Sequence, residues 1–223
     1  PFHGTPATYD PTRPECMARI RECVIARENK FLVAIDYSGE ELRIVTNLSG
    51  EPKWLNEFFR CSGCDTKFSR GDGKSTPQPP PSFCPNCGSD KIGDLHTLTC
   101  ISVYGESILK DPKFKAYRGY AKATNFALSY GGSGKAVVRS IGCDENEGHR
   151  IKDTFDKSYT GLTTWWGEKK RFAKKNGFVK TAFGRIYPVP DIKLPRTDVE
   201  TGKSNWSFIS KAERNSVNGP VQG

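Results

Sequence analysis

No apolar run in this chain approaches the roughly 20 residues that a membrane-spanning helix needs, and no secretory leader is visible, so a cytoplasmic setting is expected. Internal repeats are absent as well, which excludes a solenoid or a propeller. Negative charge is the scarcer sign: 25 Asp and Glu against 34 Lys and Arg leave a net charge of +9 and a pI near 9.1. That balance favours a polyanionic partner, most simply nucleic acid. Basic residues gather at Lys169-Lys170-Arg171 and Lys174-Lys175, with Phe172 between them. Aromatic interleaving suits a strand-binding surface, and a solvated helix face fits the same residues. Cysteine is not scarce. Four of the eight form two close Cys-x-x-Cys pairs, which in a chain of this type point to metal rather than disulfides. With 223 residues the chain is long enough to bury a real core, as one large domain or two small ones.

Local patterning divides the chain. Residues 1–14 are rich in Pro and Thr and read as irregular, and Ile20 to Ile25 as a short strand. The continuous apolar run Phe31-Leu-Val-Ala-Ile35, bounded by Lys30 and Asp36, predicts a buried strand. Ser38 with Glu41 three residues later fits a capping box that opens a helix through about Leu48, and Pro52 opens a second through Phe59. Residues 61–90 hold both cysteine pairs in a Gly, Ser and Pro-rich context and read as a compact insertion. Helices are expected over His96–Leu109, Tyr117–Tyr130, Ala136–Ile141, about Ile151–Lys175 and Ser207–Val217, with strands at Phe178–Phe183 and just after Gly184-Arg185.

Two stretches carry the chemistry. Asp36 ends the apolar strand, where a carboxylate can hold a hard cation such as Mg²⁺; an acid satisfied by turn amides is the alternative. From Arg118, the residues Lys122, Phe126 and Tyr130 follow at four-residue steps and share one helix face, stopped by Gly131-Gly132. Two cations on a stripe suit a triphosphate, and a ring further along suits a base or sugar. The alternative is an amphipathic helix with Phe126 and Tyr130 in the core.

Together these segments resemble the family-A DNA polymerases, the bacterial DNA polymerase I type that also occurs widely in phages. Asp36-Tyr-Ser-Gly-Glu-Glu-Leu-Arg43 resembles the first catalytic motif, and Arg118 to Gly131 the fingers-helix motif. Ile20 to Ile35 looks like the segment leading into the catalytic strand, and Asp94-Leu-His-Thr97 like the family's Asp-Ile-His-Thr. Asn176 to Asp191 is similar to a later palm segment, and Ala212 to Gly223 to the helix that reads the primer–template minor groove. The resemblance implies an α+β fold: a palm with an antiparallel sheet, helical fingers and an inserted four-cysteine zinc ribbon. Its expected divisions are an N-terminal palm segment over 1–60, the ribbon over 61–90, fingers over 91–175 and a second palm segment over 176–223.

The resemblance also implies roles. Asp36 would ligate two catalytic Mg²⁺ ions with help from the Tyr37 carbonyl. Arg118, Lys122 and His96 would hold the triphosphate, and Lys122 would act as general acid for pyrophosphate. Phe126 would pack on the incoming nucleotide. Tyr130 would sit by the templating position, hydrogen-bonded to Glu41, itself the steric gate against a ribose 2′-hydroxyl. Arg214, Asn218 and Gln222 would contact primer–template DNA; an ordinary polar helix face is their alternative. The implied activity is template-directed addition of deoxynucleotides from dNTPs to a primer 3′ end, by a nucleotidyltransferase.

The chain departs from the family at Gly39-Glu40, where Gln-Ile is usual. The family's His-Asp motif is expected beyond Gly223 and the thumb before Pro1, so the chain reads as a segment of a longer polymerase, inactive alone. Cys61-Ser-Gly-Cys64 and Cys84-Pro-Asn-Cys87 suit one structural, tetrahedral Zn²⁺ with no open position, an unusual insertion for the family. Two other functions compete. A single-subunit RNA polymerase shares the Asp strand and cationic helix, but lacks the gate Glu and usually has Met where Phe126 stands. The other is a DNA-binding module that has lost catalysis, which loss of the downstream His-Asp pair would support.

Overall fold

The computed structural model describes residues 24–34, 39–68, 83–90 and 92–222. The chain divides into two units, 1–38 and 39–223. In the first, the described residues form a turn at Glu28-Asn29 and no strand. The strand expected over Phe31–Ile35 is not seen at 31–34: Phe31 is 94% exposed, and Leu32 and Val33 are exposed too. Strands draw their stability from ladder partners, and no bridge to this run exists among the described residues. Ile35 and most of the expected strand at Ile20–Ile25 lie outside the described residues.

The second unit is helix-rich α+β. Helix α1 spans Glu40–Ser49, α2 Pro52–Glu57, α3 Leu95–Tyr104, α4 Phe114–Leu128, α5 Gly134–Ile141, α6 Glu145–Ser158, α7 Thr160–Asn176 and α8 Trp206–Gln222. Strands β1 (Phe178–Lys180) and β2 (Ile186–Pro188) pair antiparallel, with Val179 opposite Tyr187. The expected capping box is replaced. Gly39 in the left-handed region caps α1 without a side-chain bond, so Glu41 is released for other partners. The helix expected over His96–Leu109 breaks at Gly105, with φ of 86°, and continues as a short 3-10 turn over Glu106–Lys110. The single helix expected over Ile151–Lys175 is two helices. Tyr159 leaves helical geometry between them because its buried hydroxyl meets the hydroxyls of Thr99 (3.0 Å) and Ser102 (3.3 Å). The N-terminus of α7 is capped from a distance: buried Glu51 accepts the Gly161 N–H at 2.8 Å and the Lys53 N–H at 3.0 Å. One carboxylate thereby ties two helix starts together.

Trp54, Phe155 and Tyr159 meet edge to face at the centre, ring centroids 4.8–6.1 Å apart. Leu42 and Val45 of α1, Leu128 of α4, Val137 of α5 and Val217 of α8 join the same core. Such shared packing fixes α1, α4 and α8 relative to one another. A smaller core of Ala173, Val179, Val189, Ile192 and Ala212 seats the hairpin on α7 and α8. Among the described residues no helix is long and apolar enough to cross a membrane.

Candidate functional site

The α4 stripe faces outward. Ala121, Thr124, Asn125 and Leu128 turn into the protein, while Lys122 is exposed, Phe126 is 45% exposed and Arg118 is half-buried. Phe126 is therefore not a core residue. It lies instead beside His96 of α3, the two rings 6.1 Å apart. Tyr130 falls just past the helix, which ends at Leu128 rather than Tyr130.

Asp94 caps α3, accepting the Thr97 N–H (3.1 Å) and hydroxyl (2.7 Å), and its two oxygens also take the fork of Arg118 at 2.9 and 3.0 Å. Burial alone would raise the Asp94 carboxyl, but the Arg118 and Thr97 hydrogen bonds hold it below the usual carboxylate range. Arg118 is thus aimed by an acid, with its remaining N–H groups free to turn to an anion. His96 is drawn down to about 4, first by burial and then by the Arg118 charge, with Lys122 adding to the effect. Its ring is neutral at pH 7. Asn125, fully buried, accepts from the Thr99 hydroxyl at 2.8 Å and so presents its amide N–H to His96 Nδ1 at 3.0 Å. That leaves the proton on Nε2, as a donor. Asn125 and Asp94 lie within the two motifs, but the residue pattern does not give their supporting roles. The signals were present: a polar residue on the inward face of α4, and Asp three places before Thr at a helix start.

A second cluster joins α1, the end of α4 and α8. Tyr130 donates its hydroxyl to Glu41 at 2.6 Å, and Gln222 donates to the other Glu41 oxygen at 2.8 Å. Asn218 in turn donates to Gln222 at 3.1 Å. Burial, then Glu41, pushes the Tyr130 phenol up, so it stays protonated. Tyr130, Arg214 and Asn218 line a cleft of about 340 Å³ together with Ser133 and Arg139, the last not foreseen from the sequence. Arg214 also bonds Ser210 within its own helix, at 2.8 Å. Gly132 at the floor of this cleft admits no side chain, since a Cβ would lie 2.0 Å from the Ala127 carbonyl oxygen. The basic run of α7 is partly structural: Lys170 and Lys174 pair with Glu213 of α8 at 3.5 and 3.0 Å. Asp36 and Tyr37 lie outside the described residues.

The sulfurs of Cys61, Cys64, Cys84 and Cys87 all lie within 4.8 Å of one another, with Cys61–Cys87 at 3.7 Å and Cys64–Cys84 at 3.5 Å. A tetrahedron with metal–sulfur bonds of ~2.3 Å has sulfur–sulfur edges of ~3.8 Å, so the donor set fits a Zn²⁺-sized ion. The Gly63 N–H points at the Cys61 sulfur, 3.3 Å away. The thiols also compete for one negative charge. The Thr66 hydroxyl and N–H draw Cys64 down to about 6, while at Cys87 the pull of the Ser89 amide is outweighed by the other thiols, which push it up to about 12. A cation would relieve that competition. The described part of the segment carries only isolated bridges, Arg60 to Lys67 and Cys61 to Ile92.

With this geometry in place, the chain belongs to DNA polymerase family A, whose model matches residues 10–223. It is 29% identical over 83% of its length to a DNA polymerase of Mycobacterium phage D29, and 29% identical over 96% to the thermostable DNA polymerase I of Thermus filiformis. It spans 24% and 20% of those proteins, so about a quarter or less of their length. Its fold is similar to the POL domain of Pol1 from M. smegmatis, solved in complex with DNA primer-template and dNTP. The TM-score is 0.56 and the identity 20%, over 84% of this chain and 26% of that one.

Proposed function

We propose that this chain is the nucleotide-binding part of a polymerase that adds deoxynucleotides to a primer 3′ end under template direction, palm at 1–60 and 176–223, fingers at 91–175. One observation carries this reading: Arg118, Lys122 and Phe126 form an outward stripe beside a neutral, Nε2-protonated His96. In this reading Arg118, Lys122 and His96 bind the triphosphate oxygens, two by charge and one by a neutral N–H, and Phe126 covers the sugar and base. Lys122, an exposed cation, would hand a proton to pyrophosphate in this reading. Glu41, braced by Tyr130 and Gln222, stands as the gate that meets a 2′-hydroxyl. Arg214, Asn218 and Gln222 face the primer–template. Asp36 with the Tyr37 carbonyl would hold two Mg²⁺ ions, which when bound polarise the α-phosphate and offset charge on the attacking and leaving oxygens. The four thiols would hold one structural Zn²⁺. Partners are primer–template DNA, dNTPs and the remainder of the polymerase, in the cytoplasm of a bacterium or a phage-infected cell.

The test is single-nucleotide extension of a primer–template by the complete polypeptide with Mg²⁺, comparing deoxy- and ribonucleotides. Templated incorporation of deoxynucleotides is expected. A preference for ribonucleotides would turn the reading to an RNA polymerase, and DNA binding without extension would turn it to a binding module.

A further inference from the structure

The four-cysteine segment is more than an appendage at the surface, because it is joined by a line of polar contacts, exposed at Asp65 and part-buried at Glu57, to the start of α3. Glu57, at the end of α2, is only 3% exposed. A carboxylate buried to that degree is costly unless fully partnered. Its partners lie on both sides. Arg60 forks onto it at 2.8 and 3.0 Å, and Glu57 Oε1 also accepts the backbone N–H of Asp94 at 3.2 Å. The same Arg60 guanidinium bonds Asp65 at 2.6 Å, the residue after Cys64 in the first knuckle. Backbone contacts run in parallel: Cys61 bridges to Ile92, and the Gly93 N–H bonds the Arg60 carbonyl at 3.0 Å. Gly93 has φ of 72°, and a Cβ there would sit 3.0 Å from Phe58 Cα, so the approach tolerates no side chain. Beyond the Asp94 N–H lies its carboxylate, which aims Arg118.

We propose that the metal-binding knuckle sets the position of the Arg118 guanidinium, with Arg60 and Glu57 as positioning residues between them. This rests on the reading of Arg118 as a triphosphate contact. A knuckle tethered only at its chain ends would need neither the shared Arg60 fork nor a buried Glu57. In the metal-loaded protein, the four-thiol cage holds Asp65 and the Cys61 backbone. These hold Arg60, Arg60 holds Glu57, and Glu57 holds the first residue of the α3 cap. Loss of the metal frees Asp65 and the Cys61–Ile92 bridge, and the Asp94–Arg118 pair loses its fixed base. Such a chain of contacts is a coupling only if perturbing one end moves the other.

Two measurements on the complete polypeptide decide this. The first is amide hydrogen exchange at Thr97 and Leu98, in zinc-loaded protein and in a Cys64→Ser/Cys87→Ser variant. At least tenfold loss of protection at these amides is expected, with α6 amides around Ile151 unchanged. Loss confined to residues 60–68 and 83–92 overturns the proposal. If that variant unfolds globally, Arg60→Met and Glu57→Gln, which keep all four thiols, take its place with zinc content verified, and the same two outcomes apply. The second is steady-state incorporation by Arg60→Met with zinc bound. The KM for dNTP should rise about tenfold with kcat little changed; an unchanged KM overturns the proposal. If the unaltered protein incorporates no nucleotide, the polymerase reading fails, and the exchange measurement still decides the coupling.

Discussion

Asn125 is the residue whose replacement probes the site's construction most sharply. Its side chain is fully buried and accepts from Thr99 at 2.8 Å, donates to His96 Nδ1 at 3.0 Å and reaches the Leu95 carbonyl at 3.4 Å. Asn125→Leu keeps the number and branching of the side-chain heavy atoms and removes all three. Each buried bond is worth on the order of 1 kcal/mol net, and stranding a partner costs a further 1–3 kcal/mol. Thr99 keeps Tyr159 as a second partner at 3.0 Å, and the Leu95 carbonyl keeps its helical partner in α3, so the stranded group is chiefly His96 Nδ1. The expected loss is about 2–4 kcal/mol, read by urea unfolding under two-state conditions. Nitrogen chemical shifts of the His96 ring supply the second readout. The unaltered protein should show the Nε2-protonated tautomer, and Asn125→Leu a mixture. A loss under about 1 kcal/mol together with an unchanged tautomer would refute the placement of Asn125 as the support of His96.

Other consequences follow from single contacts. Gly132→Ala places a methyl 2.0 Å from the Ala127 carbonyl oxygen, which forces the end of α4 to move; destabilisation of about 3 kcal/mol or more is expected in thermal or denaturant unfolding, and a neutral result contradicts the close approach. Glu51→Ala removes the cap shared by α2 and α7 and should cost about 2–3 kcal/mol in the same assay, whereas a loss within about 0.5 kcal/mol denies the dual cap. His96 gives a pH signature. Its folded value of about 4 lies below the ordinary 6.5, so the neutral ring stabilises the fold fully above pH 6.5, and this contribution is lost as pH falls from 6.5 toward 4, where the unfolded chain takes up a proton the native state refuses. After discounting for the ring's partial exposure, about 2 kcal/mol is involved, and His96→Gln should flatten the stability–pH curve over that window.

Which parts were legible depends on whether the information is local. The outward α4 stripe could be read because helix periodicity places Arg118, Lys122 and Phe126 on one face whatever the rest of the chain does. The cysteine cage was equally local, two tight pairs whose geometry is set by a few residues. The Tyr130–Glu41 bond, by contrast, came from family likeness, since nothing in the spacing of positions 41 and 130 brings them together. The capping box failed because Gly39 took the cap and left Glu41 to long-range partners. The break at Tyr159 and the cap by Glu51 were hidden for the same reason: both answer to groups more than 50 residues away. The apolar run from Phe31 shows the limit from the other side, for a strand pattern becomes a strand only beside a partner.

The most direct measurement is the rate of single-deoxynucleotide incorporation by the complete polypeptide at saturating primer–template, for the unaltered protein and for Lys122→Ala. With the cation at 122 serving the triphosphate and the leaving pyrophosphate, the rate should fall by about 100-fold or more. An unchanged rate would contradict the assignment of the α4 stripe as the triphosphate site.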